Sequence, residues 1–224
     1  MKKYSKIWSL PAVVKFFQKE RNNYNKLYEG EKYFLDKVMK KNTSVLDIGC
    51  AQGSLYKILK KQYKITNYIG IDISKEMIIK AQKNYGKKLF IHYQGLNYYE
   101  KTKKKFDVVV ILGILHLNNN WKQILINANK ICKKYLIFDL RESHLKTIQS
   151  INKSYMDMSF SSQNNIYINS KLPYNIINIV ETRLLLEKYF KEDKILCYSK
   201  DNSMTSAASI KNKKILMNTY CIIK

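Results

Sequence analysis

The sequence predicts an α/β fold: a mainly parallel sheet with helices on both faces, closed by a C-terminal antiparallel hairpin. Three observations carry this. Short apolar runs alternate with segments of helical periodicity along most of the chain. One junction between them, "VLDIGCAQG" at Val45 to Gly53, passes from strand to helix through a glycine loop. The 224 residues suffice for one such domain with a full core. With two prolines, seven glycines and no internal repeat or Pro/Gly/Ser-rich linker, the chain reads as a single domain over 1–224.

The elements follow in order. From about Pro11 to Met39 the spacing is helical, with Val14, Phe17, Tyr24, Leu27, Phe34, Leu35 and Val38 on the apolar stripe. Val45, Leu46 and Ile48 make a first strand buried on both faces. Gly49 and Gly53 permit backbone angles closed to other residues, and Leu55, Ile58 and Leu59 resume a helix. Tyr68 to Ile73 is a second strand, and Ser74 is placed to cap a helix from Lys75 to Asn84. Leu89 to Tyr93 is a third strand, Phe106 to Leu112 a fourth, Trp121 to Ile131 a helix, and Tyr135 to Leu140 a fifth strand. Such alternation implies parallel strands joined by right-handed crossovers. Arg141 to Leu172 is mixed in polarity. Thr182 to Phe190 reads as a helix, and Ile195 to Tyr198 and Leu216 to Ile223 as two last strands joined by a polar turn around Lys211 to Lys214, giving seven strands.

Composition narrows the function classes. No apolar run reaches membrane-spanning length, and Lys15 interrupts the N-terminal apolar stretch early, against a signal peptide. Cys50, Cys132, Cys197 and Cys221 are scattered, with no C-x-x-C. They read as reduced thiols of a cytoplasmic protein, with neither a disulfide frame nor a zinc site. The net charge of +24 invites a nucleic-acid reading, yet only Arg21, Arg141 and Arg183 among the 41 basic residues are arginine. Readers of nucleic acid favour the planar guanidinium fork, and these lysines are spread along the chain as on a solvated surface.

The glycine loop asks for a ligand, because open α/β sheets bind theirs beyond the carboxyl ends of the strands. A phosphate-binding P-loop needs Gly-Lys-Ser/Thr, and here Gly53 precedes Ser54 and Leu55; the dinucleotide fingerprint needs three glycines at another spacing. Asp72 ends the second strand, where a carboxylate accepts hydrogen bonds from two ribose hydroxyls. An acid there without a pyrophosphate signature points to a nucleoside. "VLDIGCAQG", "YIGIDIS", "FDVVVILGILH" and "YLIFDLRES" together resemble the successive motifs of class I S-adenosylmethionine-dependent methyltransferases, clearly over Ser44 to Ser143 and in outline elsewhere.

The resemblance implies a Rossmann-like methyltransferase fold and S-adenosyl-L-methionine as cofactor. It divides the chain into an N-terminal helical lid region (1–42), a cofactor-binding half (43–141) and a substrate-side insertion with closing strands (142–224). Asp47, Gly49, Cys50, Ala51 and Gly53 match the loop under the methionine moiety, with Ala51 at the usual middle glycine. Asp72 matches the ribose acid, and Ile73 would pack on adenine. The family often has Gly-Asp after the third strand; Gly95-Leu96 breaks that pattern, leaving a backbone contact from Leu96 as substitute. Leu112 belongs to the same cofactor wall.

For the acceptor the resemblance is to a small-molecule branch with "LGVLHH"-like sequences, which puts His116 where a general base would stand, with an ordinary pKa near 6.5. Asp139 and Arg141, two apart on one strand, point the same way. They form a plain ion pair, or Arg141 holds an acidic group of the acceptor. Tyr24, Tyr28 and Trp8 are expected in a lid. The leading reading is methyl transfer to oxygen or nitrogen of a small soluble acceptor, with sugars and phosphorylated metabolites of surface-polysaccharide synthesis as the family context. A tRNA or rRNA methyltransferase is the alternative enzyme, although the segment after the fourth strand has neither an Asn/Asp-Pro-Pro-Tyr/Phe motif nor a cysteine nucleophile. A cofactor- or partner-binding protein without catalysis is the third reading.

Overall fold

The computed structural model describes residues 7–19, 21–93, 102–158, 171–201, 209 and 215–224. Seven strands form one continuous sheet. They are β1 (Val45–Ile48), β2 (Tyr68–Asp72), β3 (Phe90–His92), β4 (Phe106–Ile111), β5 (Cys132–Ser143), β9 (Lys194–Asp201) and β10 (Leu216–Ile223). Their order is β3-β2-β1-β4-β5-β10-β9, and a two-residue strand, β8 (Ile177–Asn178), lies parallel to the end of β5. The first five run parallel, whereas β10 is antiparallel to both β5 and β9. This is the expected mainly parallel sheet with a closing antiparallel pair.

Why these segments form central strands is visible in their burial. Val108, Val109, Val110 and Ile111 have no solvent exposure, because helices cover both faces. Val109 and Ile111 face a core shared with α5 (Trp121–Ile131) and α6 (Ile179–Tyr189), through Trp121, Leu125 and Leu186. Val108 and Val110 face the opposite core. There α2 (Glu29–Val38) and α3 (Ser54–Tyr63) supply Phe34, Leu35 and Leu59, and α4 (Lys75–Tyr85) supplies Ile78 and Ala81. The period of two along β4 thus places alternate residues in two different cores.

Three departures from expectation have local causes. The long N-terminal periodicity divides into α1 (Pro11–Lys19), a 3-10 turn at Tyr24–Lys26 and α2. Arg21 takes φ +45°, and the Asn23 side chain accepts from the Lys26 N–H at 3.2 Å, a local bond that competes with helix continuation. Strand β5 runs past Leu140 to Ser143 because β10 pairs with it as far as Glu142 and β8 adds the last two residues. Within the mixed segment, β6 (Tyr155–Asp157) and β7 (Lys171–Pro173) pair into a small antiparallel sheet. A third apolar cluster joins Val13 and Val14 of α1 to Met156, Leu172 and Tyr174, so α1 and the small sheet pack together. The turn expected at Lys211 to Lys214 lies outside the described residues. No helix among the described residues is long and apolar enough to cross a membrane.

Candidate active site

Strand order reverses between β1 and β4, which opens a crevice at their carboxyl ends. The chain after β1 turns there with Gly49 at φ +81° and Gly53 at φ +83°. The N–H groups of Gly49 and Cys50 both donate to the Ile71 carbonyl, at 2.8 and 3.1 Å, which pins the loop to β2. A Cβ on Gly49 would lie 2.6 Å from the Ile114 side chain, so only glycine fits that turn. Ala51, standing where the family usually has glycine, is held at φ +46°.

Asp72 holds the next part of the loop. Its Oδ2 accepts from the Ala51 N–H at 2.9 Å and its Oδ1 from the Ser74 N–H at 2.8 Å. The Ser74 hydroxyl then accepts from Met77 N at 3.3 Å and caps α4, as its position predicts. Burial raises the pKa of Asp72, and the two N–H donors oppose that shift. Asp47 lies deeper, 3 % exposed, with the Tyr68 hydroxyl donating to it at 2.6 Å. Burial pushes its carboxyl up to about 7 in spite of that bond. The Cys50 thiol is also pushed well up by burial, so it stays protonated and is no nucleophile.

These residues line one cavity of about 270 Å³ together with Ile73 and Leu112. Its far side is built from Tyr28, His116, Arg141 and Tyr174, and its roof from Trp8 and from Phe16 and Phe17 of α1. Of the site residues expected from sequence, Asp47, Gly49, Cys50, Ala51, Asp72, Ile73, Leu112, His116, Arg141 and Tyr28 are brought together here. Gly53 stands just behind the loop, where a Cβ would meet Phe90 at 2.8 Å. Tyr24 is not brought in: its hydroxyl donates to Asp36 on α2 at 2.6 Å, a surface contact that turns it away from the cavity. Leu96 lies outside the described residues.

The far side is a charged cluster set in apolar walls. Arg141 Nη1 lies 2.6 Å from Asp139 Oδ2, with side-chain exposures of 4 % and 1 %. The other oxygen of Asp139 accepts from the Gly113 N–H, which ties the turn after β4 to β5. Burial opposes ionisation of Asp139, but Arg141 and Arg21 outweigh it and hold the carboxyl below its ordinary range. The Tyr28 ring lies between two guanidinium groups, 4.7 Å from that of Arg21 and 5.8 Å from that of Arg141. Arg21 is paired with fully buried Glu31 at 3.0 Å. His116 is buried edge-on to the Tyr174 ring, and burial and the Arg141 charge lower its pKa well below 6.5. The imidazole is therefore neutral near pH 7 and a weaker base than its unperturbed value implies.

Sequence reasoning did not place Arg21 or Tyr174 in the site. Arg21 carried a signal, since arginine is so rare in this chain: two of the three arginines line this cavity. Tyr174 carried none, because it follows β7, far along the chain from Arg141.

Gly49, where a Cβ would strike Ile114, and Asp72 at the β2 end lie together on the cavity wall, a glycine turn beside a carboxylate that suits a nucleoside carrying an amino acid. A family model described as "Methyltransferase domain" matches residues 46–134. The chain is 28 % identical over 161 residues to uncharacterized protein MJ1252 of Methanocaldococcus jannaschii, a match covering 69 % of this chain and 61 % of that protein. The chain thus spans less than two thirds of that relative's length. Among solved structures, the plantazolicin methyltransferase BamL, in complex with a triazolic desmethylPZN analog and SAH, is similar at TM-score 0.61 and 17 % identity, covering 99 % of this chain and 94 % of that one. Magnesium protoporphyrin IX methyltransferase (ChlM) from Synechocystis PCC 6803 with bound SAM is similar at TM-score 0.58 and 14 % identity, covering 100 % and 96 %. The sheet order is thus that of these methyltransferase structures, and the methyltransferase-domain model matches this chain across the glycine loop and its acid.

Proposed function

We propose that the protein transfers a methyl group from S-adenosylmethionine to an oxygen or nitrogen of a small organic acceptor. The observation that carries this reading is the continuity of the cavity: the cofactor loop and Asp72 form one wall, and Arg141, His116 and Tyr174 form another. Asp72 would hold the ribose, the backbone at Gly49 and Ala51 would pass beside the methionine moiety, and Ile73 would pack on the adenine. The bound cofactor supplies an electrophilic methyl on a sulfonium. The protein's own task is to hold the acceptor lone pair in line with it, about 3 Å away, and to keep water out.

The apolar roof of Trp8, Phe16 and Phe17 favours an acceptor with an apolar body over a sugar. The names of the similar structures give plantazolicin and magnesium protoporphyrin IX as the molecules concerned, both organic compounds rather than polynucleotides. The test is incubation with methyl-labelled cofactor and a protein-free metabolite extract, with bulk tRNA and rRNA alongside at two salt levels. Label in the metabolite fraction supports the reading. Label entering RNA, with binding that persists at ~150 mM salt, would contradict it, since unspecific phosphate contacts weaken steeply with salt.

A further inference from the structure

Arg141 and His116 share a feature beyond their place on the cavity wall. Arg141 Nε and His116 Nδ1 are both buried and have no hydrogen-bond partner among the described residues. A guanidinium N–H can only donate, so whatever completes Arg141 must be an atom with lone pairs, best a charged oxygen. A buried donor left unpaired is unfavourable, and an acceptor oxygen reaching this end would relieve it.

The carboxylates around the cavity already have partners. Asp139 holds Arg141 and the Gly113 N–H, and Glu31 holds Arg21. Asp72 holds the Ala51 and Ser74 N–H groups, and Asp47 takes the Tyr68 hydroxyl. His116 is buried beside the Arg141 cation and edge-on to Tyr174. His116 keeps an unpartnered Nδ1 among the described residues, but burial and the Arg141 cation disfavour the imidazolium that would form, so it is a poor base for an alcohol or an ammonium. A nucleophile that arrives already deprotonated needs no such base.

We infer that the methyl acceptor is a carboxylate oxygen of an acid with an apolar body, oriented by Arg141 and His116 beneath Tyr174, and that the product is a methyl ester. This rests on the methyltransferase reading above. One carboxylate oxygen accepts from the guanidinium while the other attacks. An O–CH₃ bond forms, the S–CH₃ bond breaks, and its electron pair stays on sulfur as a neutral thioether. The carboxylate and sulfonium charges cancel, so no proton is released. The apolar roof strips water from the carboxylate and leaves its lone pairs more reactive.

The test uses the full chain, labelled cofactor, and a panel of benzoate, phenylacetate, trans-cinnamate, indole-3-acetate and octanoate. Each acid is matched by its primary alcohol and amine, and a metabolite extract is run in parallel. Label that mild base releases as volatile methanol, formed without acidification of a weakly buffered solution, is the expected result. A second readout needs no turnover: calorimetric binding of the same acids to the protein saturated with S-adenosylhomocysteine. Binding of the best acid should weaken at least ~10-fold in Arg141→Lys, which keeps the charge but loses the fork, while S-adenosylhomocysteine affinity stays within about twofold. Base-stable label, label confined to alcohols or amines, or no acid labelled or bound while S-adenosylhomocysteine still binds would overturn the carboxylate assignment alone. Loss of S-adenosylhomocysteine binding by the wild type would instead overturn the methyltransferase reading on which it stands.

Discussion

Asp139 sits between two parts of the site: one of its oxygens lies 2.6 Å from Arg141 Nη1, and the other receives the backbone N–H of Gly113. The pair is fully buried, so its value lies in what happens when one partner is removed. Asp139→Asn should destabilise the protein by about 3–5 kcal/mol, because a buried guanidinium loses its counter-charge. Since the folded-state pKa of Asp139 is depressed, its stabilisation is present above the unfolded value near 4 and is lost as pH falls through the lower folded value. Urea unfolding of wild type and variant should therefore differ most at neutral pH and converge in acid. A constant difference across that range would contradict the pairing.

Asp47 makes the opposite prediction. Its folded pKa is raised, to about 7, mainly by burial. Between the unfolded value near 4 and about 7 the folded protein keeps a proton that the unfolded chain has lost, so stability falls as pH rises through that window and levels off above it. The cost of the ionised form is on the order of 4 kcal/mol. Asp47→Asn should be the more stable protein at pH 8 and nearly equal to wild type at pH 4, as read from urea midpoints. A variant less stable than wild type at pH 8 would show that Asp47 is held ionised instead.

Gly49 tests the loop. At φ +81° with Ile114 2.6 Å from any Cβ, alanine is both strained and overpacked. Gly49→Ala should cost about 1–3 kcal/mol of stability and lower cofactor affinity. Differential scanning fluorimetry with and without S-adenosylhomocysteine checks both effects, and an unchanged midpoint and ligand shift would contradict the geometry.

His116 separates a positioning role from proton transfer. With its pKa lowered by burial and by Arg141, it stays neutral across the neutral range. His116→Asn should lower turnover by less than ~10-fold and leave a flat pH profile from 6 to 9, whereas loss of a general base would cost about 10²–10⁴-fold. A loss of the larger size, with a wild-type profile that rises through one pKa, would restore the base.

Much of this architecture was legible in the chain because local chemistry and global role coincide. Val45 to Ile48, Tyr68 to Asp72 and Phe106 to Ile111 are apolar because both faces of each strand are covered, and Gly49 is glycine because Ile114 leaves no room. Asp72 could be placed beside the loop from spacing alone, since β1 and β2 are neighbours in sequence and in the sheet. The acceptor side was much less legible. Arg21 shares the Tyr28 ring with Arg141 and Tyr174 partners Arg141, both from distant segments, and the N-terminal break at Arg21 to Asn23 is a side-chain cap that helical periodicity does not reveal. Tyr24 shares the stripe that carries Leu27, yet the 3-10 turn points its hydroxyl to Asp36 instead. For His116 the residue type suggested a base, and only its burial beside Arg141 shows how far its pKa is lowered.

The most direct measurement of the central claim is calorimetric titration of S-adenosylhomocysteine into wild type, Asp72→Ala and Asp72→Asn. Asp72 stands at the β2 end, with one oxygen on the Ala51 N–H of the loop and the other on the Ser74 N–H at the start of α4. The account predicts one site per chain in the wild type. It also predicts a loss of roughly 1–3 kcal/mol in Asp72→Ala, about 5- to 150-fold in affinity, with the asparagine variant in between, because a ribose loses a charged acceptor in steps. No binding by a folded wild type, or equal affinity in all three proteins, would contradict it.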